Sequence, residues 1–193
     1  MAELLKEQVL AASRVLFMER GYESVGMRDI ARAVGRQPVQ VYRLKLAKVD
    51  ILAELIIELN QEQIGKLPQL RLSVEGKTVF ERTCSYLRAL YVLDIHNLPI
   101  RSVGAAFGWL WTADYERRVI AQVHQLIKPI MDWMQEAQFD DIPARCLGIW
   151  SLYYVGYRHA VMNGGTADDC LAAIKPSLRI YMDPRHQENP DGR

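Results

Sequence analysis

Residues 27–46, MRDIARAVGRQPVQVYRLKL, constrain this chain more than any other stretch. Ile30, Val34, Val41 and Leu44 are the apolar positions, and the first half repeats with a helical period that breaks at Gly35. Ala31 sits where two helices nearly touch, and Gly35 sits where the chain turns. Pro38 opens a second short helix, because its ring fixes φ and the first helical position needs no amide partner. Two short helices joined by a tight glycine turn predict a helix-turn-helix. In that motif the second helix lies in the major groove of DNA.

The rest of the chain is also helical in period, with no convincing strand, repeat or low-complexity segment. Residues 4–20 carry a stripe of Leu5, Val9, Ala12, Leu16 and Phe17, stopped by Gly21, with Tyr22 placed to pack back on it. A helix over about 47–66 presents Ile51, Leu52, Leu55, Ile56 and Leu59, with Asp50 in its first turn. The stretch 65–76, with glycine at both ends and Pro68 inside, predicts a domain boundary or loop. Helices follow near 77–94, around 99–108 and over 112–138, where Pro129 predicts a kink or a split. Residues 95–111 read as one helix or two. Two more helices run over 143–163 and 166–182, the last with Thr166 as N-cap and Asp168 and Asp169 in its first turn. The expected architecture is all-α, about nine helices: an N-terminal three-helix helix-turn-helix domain and a larger C-terminal helical domain. The expected divisions are 1–47, 48–183 and a polar, disordered tail over 184–193.

Half of the 193 residues are hydrophobic and the net charge is only +1, so distribution is more telling than total. Residues 28–48 hold six basic side chains and one acid, Asp29. A basic patch on a helix-turn-helix is the electrostatic footprint of phosphate binding, although a charge run by itself is also an ordinary solvated face. The N-terminal stretch MAELLKEQVL lacks the apolar run of a signal peptide, and no segment reaches the ~18 apolar residues that span a bilayer. Cys84, Cys146 and Cys170 are scattered and odd in number, as reduced core thiols of a cytoplasmic protein would be. His96, His124, His159 and His186 have no ligand-like spacing, so neither metal nor cofactor is expected. No phosphate loop, GxSxG or HExxH is present, and no catalytic residues are proposed.

The string VLAASRVLFMERGYESVGMRDIARAVGRQPVQVYRLKLAKVDIL resembles the TetR family of bacterial transcriptional regulators. The matching marks are Ala11-Ala12, Leu16-Phe17, Gly21-Tyr22, Arg28 to Ala31, Gly35, Tyr42 and Lys48 with Ile51 three residues on. Four positions depart from the family pattern. Leu44-Lys45 replaces a His-Phe pair, with Leu46 available to fill the space of the phenylalanine. Arg36 replaces an apolar residue, and Gln37 and Gly26 stand where small hydroxyl caps are usual. The resemblance implies a regulator, most simply a repressor, that binds a palindromic operator of double-stranded DNA as a homodimer. It also implies a C-terminal domain that dimerises and encloses a small-molecule effector.

The DNA-contacting residues expected are Arg28, Arg36, Gln37, Val39, Gln40, Tyr42, Arg43 and Lys48. Gln40 is placed to bond adenine bidentately, and Val39 to touch a thymine methyl or simply to pack. Arg36, Gln37 and Arg43 flank Gln40. Tyr42, Lys48 and Arg28 resemble family residues that hold phosphates, and phosphate contacts orient without specifying sequence. Aromatic residues crowd the C-terminal half. Tyr91, Phe107, Trp111, Trp133, Trp150 and Tyr154 are candidate linings of an apolar effector pocket, although an aromatic stripe reads equally as plain core. Gly148, Leu152, Val155, Gly156 and His159 form a second face of the 143–163 helix, where small residues admit a close helix. With Leu171, Ile174, Leu178 and Tyr181 they are assigned to a dimer seam, two helices from each subunit forming a four-helix bundle. The four departures support an alternative: a dimeric helical ligand-binding or interaction protein whose DNA binding has weakened.

Overall fold

The computed structural model describes residues 2–183, so the tail expected over 184–193 lies outside the described residues. Among them the chain forms nine α-helices, one 3-10 turn over Gly108–Leu110 and no strand. The helices are α1 (Ala2–Arg20), α2 (Met27–Ala33), α3 (Pro38–Tyr42), α4 (Lys48–Ser73), α5 (Val79–His96), α6 (Leu98–Phe107), α7 (Ala113–Glu136), α8 (Ile142–Asn163) and α9 (Ala167–Tyr181). No helix among the described residues is long and apolar enough to cross a membrane.

The stretch 65–76 is not a break. The helix α4 runs through Gly65 and Pro68 to Ser73, and only the short segment before Val79 is loop. A proline removes one amide from the helix ladder. Here the last turns keep their form because Leu67 and Leu70 are half-buried and Arg71 pairs with Asp132 of α7 at 3.2 Å. Pro129 likewise does not split α7. The 95–111 stretch contains one α-helix, α6, separated from α5 by a single residue, Asn97.

The chain divides into two compact units. The first runs to Ile64 and takes in His96–Val123; the second takes Gly65–Ile95 and the described residues from His124 onward. The core of the first unit is the α4 stripe, Ile51, Leu52, Leu55, Ile56 and Leu59, covered by Val9 and Phe17 of α1, Ile30 and Ala31 of α2, Val41 of α3 and Ile100 of α6. Gly104 of α6 lies against the Ile56 side chain, where a Cβ would meet Cγ1 at 2.7 Å. Polar clasps sit at the margins. Glu54 is buried yet accepts from Lys6 of α1 at 2.9 Å and from Arg118 of α7 at 3.0 Å. Burial alone would raise its carboxyl, but the bonds from Arg118 and Lys6 outweigh it and hold the group below its ordinary value. Arg14 grips Glu62 with both terminal guanidinium nitrogens.

The second unit is built on aromatic stacking. Tyr91 of α5 stacks on Tyr153 of α8 with centroids 4.3 Å apart and planes 10° from parallel. Trp150 continues the stack at 5.1 Å. Tyr153 donates to Asp94 at 2.6 Å, and Tyr91 to the Tyr153 carbonyl at 2.9 Å. Desolvation pushes the Tyr91 and Tyr86 phenols far above their ordinary values, so both serve as neutral donors. α8 and α9 pack along their length. Thr166 caps α9 as expected, with Asp169 closing the reciprocal bond at 2.8 Å. The other end of α9 is closed by Arg145, which donates to the Tyr181 carbonyl at 2.7 Å and to the Asp183 carbonyl at 3.1 Å.

Gly156 is one of the tightest points of this unit. A Cβ there would collide with the Tyr91 hydroxyl and meet the Cys170 carbonyl at 2.7 Å. Gly65, in contrast, faces open space. Replacing a helical glycine by alanine ordinarily stabilises by up to about 1 kcal/mol, which is the outcome expected for Gly65→Ala. Gly156→Ala is expected to lose about 1–3 kcal/mol through overpacking against backbone that cannot retreat. Thermal melting of the two variants checks the difference in sign.

Candidate nucleic-acid interface

The motif is assembled on the first unit from local bonds. α1 ends at Gly21, whose φ of +76° puts Tyr22 under the helix; its ring meets Phe17 at 5.1 Å and Phe107 at 5.3 Å. Gly26 precedes α2 and has no side chain to cap it. Asp29 supplies the bond instead, accepting from the Gly26 amide at 2.9 Å, and that amide is the main reason its carboxyl lies below the ordinary value. α2 closes in a Schellman turn: the Arg36 amide bonds the Ala31 carbonyl at 2.9 Å and the Gly35 amide bonds the Arg32 carbonyl at 3.1 Å. Gly35 takes φ +62°, which glycine adopts without strain.

α3 then starts at Pro38. Only Val41 of its five residues is buried; Val39 and Tyr42 are more than half exposed. Arg28, Arg36, Gln37, Gln40 and Arg43 are exposed as well, so seven of the eight expected DNA contacts stand at the surface of the first unit. Among the described residues no carboxylate lies within 4.0 Å of Arg28, Arg36 or Arg43, whereas Arg32 and Arg20 approach Asp29 at 3.8 and 4.0 Å. The face is therefore basic and largely uncompensated.

Two expected contacts also have internal work. Gln40 Oε1 accepts from the Gln37 amide at 3.0 Å and so caps its own helix. A bidentate bond to adenine uses that same oxygen; an amide oxygen has two lone pairs and can serve both. Lys48, the eighth residue, is partly buried. Its ammonium donates to the carbonyls of Tyr22 at 3.0 Å and Val25 at 3.1 Å and lies 4.0 Å from the centre of the Tyr22 ring. It ties the start of α4 to the loop that leads into α2. The joint before α4 holds a further residue outside the expected set. Leu44 and Leu46 pack on the core, and Lys45 between them is exposed at φ +55°. That conformation costs a residue with a Cβ roughly 1–2 kcal/mol.

The residues expected around an effector are divided. Phe107 and Trp111 belong to the first unit and pack against its core. Tyr91, Trp133, Trp150 and Tyr154 belong to the second, where Tyr91 and Trp133 are buried and Tyr154 is 44% exposed. The second unit also holds a cavity of about 460 Å³ between the start of α5, Phe139 and the end of α9, with Val79, Phe80 and Met182 as apolar walls and Arg179 as a cation. Of the expected seam, Gly156, Ile174 and Leu178 are buried in their own unit, and Gly148 receives the Tyr181 ring. Leu152, His159 and Leu171 are half-buried and Val155 is exposed. The small residues of α8 thus make room for side chains of the same chain.

Residues 9–44 match the family model of the bacterial regulatory proteins of the tetR family. This N-terminal segment is thus similar to the N-terminal domain of that family. The rest of the chain shares the fold. A TetR-family transcriptional regulator, PfmR, from Thermus thermophilus is 16% identical, with a TM-score of 0.63 over 90% of this chain and 96% of that one. A tetR-family regulatory protein from Rhodococcus RHA1 is 18% identical, with 0.62 over 92% and 94%. The superantigen PfiT is 18% identical, with 0.60 over 89% and 94%. No curated protein sequence matches the chain. These structures share their all-helical fold with about nine tenths of this chain.

The Lys48 brace, just beyond the matched segment, has a measurable consequence. Lys48→Met keeps the aliphatic length and removes the two charge-assisted bonds and the ring contact. A fall of about 1–2 kcal/mol in stability is expected, read by thermal or denaturant unfolding. Unchanged stability would show that the brace contributes nothing.

Proposed function

We propose that this protein is a transcriptional regulator, acting as a repressor, that binds a palindromic operator as a homodimer. Its affinity for DNA is controlled by a small, largely apolar ligand. The observation that carries this reading is the exposed, acid-poor stretch from α2 through α3, on which Arg28, Arg36, Gln40, Tyr42 and Arg43 all stand at the surface. Phosphate contacts from the arginines and Tyr42 orient the motif, and Gln37, Val39 and Gln40 read bases. A DNA-binding domain over 1–47 and an effector and dimerisation domain over 48–183 are the divisions proposed.

Dimerisation through α8 and α9 is supported by an exposed apolar stripe. Leu147, Tyr154, Val155 and Met162 on α8, with Ile180 on α9, are all more than 40% exposed in the second unit. A two-fold pairing of this stripe makes a four-helix bundle; a palindromic operator requires two recognition helices about 34–36 Å apart, in successive major grooves. The open groove lined by Phe80 and Phe139, with Thr78, Arg179 and Asp183 on its polar side, is one place for the ligand, although none of the six aromatic residues expected around an effector lines it. A ligand that shifts α4 alters the spacing of the recognition helices; coupling of about 1–3 kcal/mol lowers affinity 5–150-fold.

A second reading is a helical ligand-binding or interaction protein with weakened DNA binding. The internal bonds of Gln40 and Lys48 favour it. So does the superantigen PfiT, because one fold hosts unrelated functions. Titration of the protein with DNA from upstream of its own gene, against mixed-sequence DNA at physiological salt, separates the two. The regulator reading expects preference of ~10³ or more, lost in large part in Gln40→Ala and Tyr42→Ala; absence of preference at every salt concentration favours the second. Sedimentation is expected to show a dimer that Val155→Asp converts to monomer, and a wild-type monomer would remove the seam.

A further inference from the structure

Lys45 follows α3 directly: its amide closes on the Tyr42 carbonyl at 3.0 Å. It is exposed, and among the described residues no carboxylate lies within 4.0 Å and no side-chain hydrogen bond engages its ammonium. Leu44 and Leu46 anchor the chain on either side of it in the core, so the position of the residue between them is fixed by the fold. Its φ of +55° is one that glycine or asparagine adopts with less strain, yet the site carries a long cation. Tyr42, 55% exposed, and Arg43, also exposed and without an acid partner, immediately precede it. Lys48, the cation three residues on, spends two of its three donors on the Tyr22 and Val25 carbonyls.

Resting on the regulator reading above, we infer that Lys45 is a phosphate-binding residue. With Tyr42 and Arg43 it clamps the DNA backbone at the C-terminal end of α3, while Lys48 positions the motif from within. An ammonium is a compact point charge suited to a phosphodiester and carries no base preference. The contact therefore adds affinity and register without adding sequence information. It is also a contact that the departure from a His-Phe pair to Leu44-Lys45 creates rather than removes.

The test measures affinity for two duplexes of equal length, the upstream DNA and a mixed-sequence DNA, over a range of salt. Wild type is compared with Lys45→Ala, Lys45→Gly and Lys66→Ala. The Lys45 variants are expected to lose about 0.9 from the slope of log K against log salt per chain bound. They should weaken both duplexes by the same factor. Lys45→Gly should melt at or above the wild-type temperature, since glycine is at ease at positive φ, so its lost slope cannot be lost folding. Lys66→Ala removes the same charge elsewhere and is expected to keep the wild-type slope. A wild-type slope in Lys45→Gly overturns the inference, as does an equal loss in Lys66→Ala or a loss confined to one duplex. Failure of the wild-type protein to bind either duplex overturns the regulator reading itself, and is seen before any variant is compared.

Discussion

Everything proposed for the DNA-facing surface depends on the burial of one valine. α3 has five residues, too few to hold a helix in water by its own hydrogen bonds. Val41 is its only buried side chain, packed on the core that α4 anchors. The Schellman turn at Gly35 fixes the entry of the chain and the Leu44 and Leu46 contacts fix its exit. Between these points Val39, Gln40 and Tyr42 project outward because Val41 projects inward. The exposed surface of α3 is thus a by-product of packing, and its polar residues are free to vary as long as that packing is kept.

The second unit solves a different problem. Its helices are crowded with large aromatic rings, which need both area and hydrogen-bond partners when buried. Stacking of Tyr91, Tyr153 and Trp150 supplies the area; Asp94 and a main-chain carbonyl accept the hydroxyl protons. Such an arrangement is stiff, and it leaves the exposed faces of α8 and α9 to be defined by the interior. Leu147, Val155 and Met162 lie outward because Cys146, Tyr153, Gly156 and Tyr157 lie inward.

Periodic features were legible in the sequence. The α4 stripe, the Gly35 turn, the Pro38 start, the Tyr22 contact and the Thr166 cap follow from local chemistry, and local chemistry decided them. The TetR-family pattern over the first 60 residues located the motif. What was not legible depended on partners distant in sequence. Pro68 signals a stop, but Arg71 and Asp132 hold the helix past it. Small residues on α8 signal close approach without saying whose side chain approaches; Tyr91 and Tyr181 of the same chain do. Lys48 reads as a surface cation because nothing near it in sequence announces the two carbonyls it meets. Gln40 three residues after Gln37 is the one missed signal that was local: glutamine at that spacing can close half of a capping box.

The first compact unit is made of two separated lengths of chain. Ile100, Val103, Phe107 and Trp111 cover the same core as α1 to α4, and Arg118 shares Glu54 with Lys6. This bears on modular exchange. Joining residues up to 47 to another protein would transplant α3 without the segment that roofs its core. A chimera that also carried residues 96–123 would bring the packed body intact, so here the natural unit of recombination is spatial rather than linear.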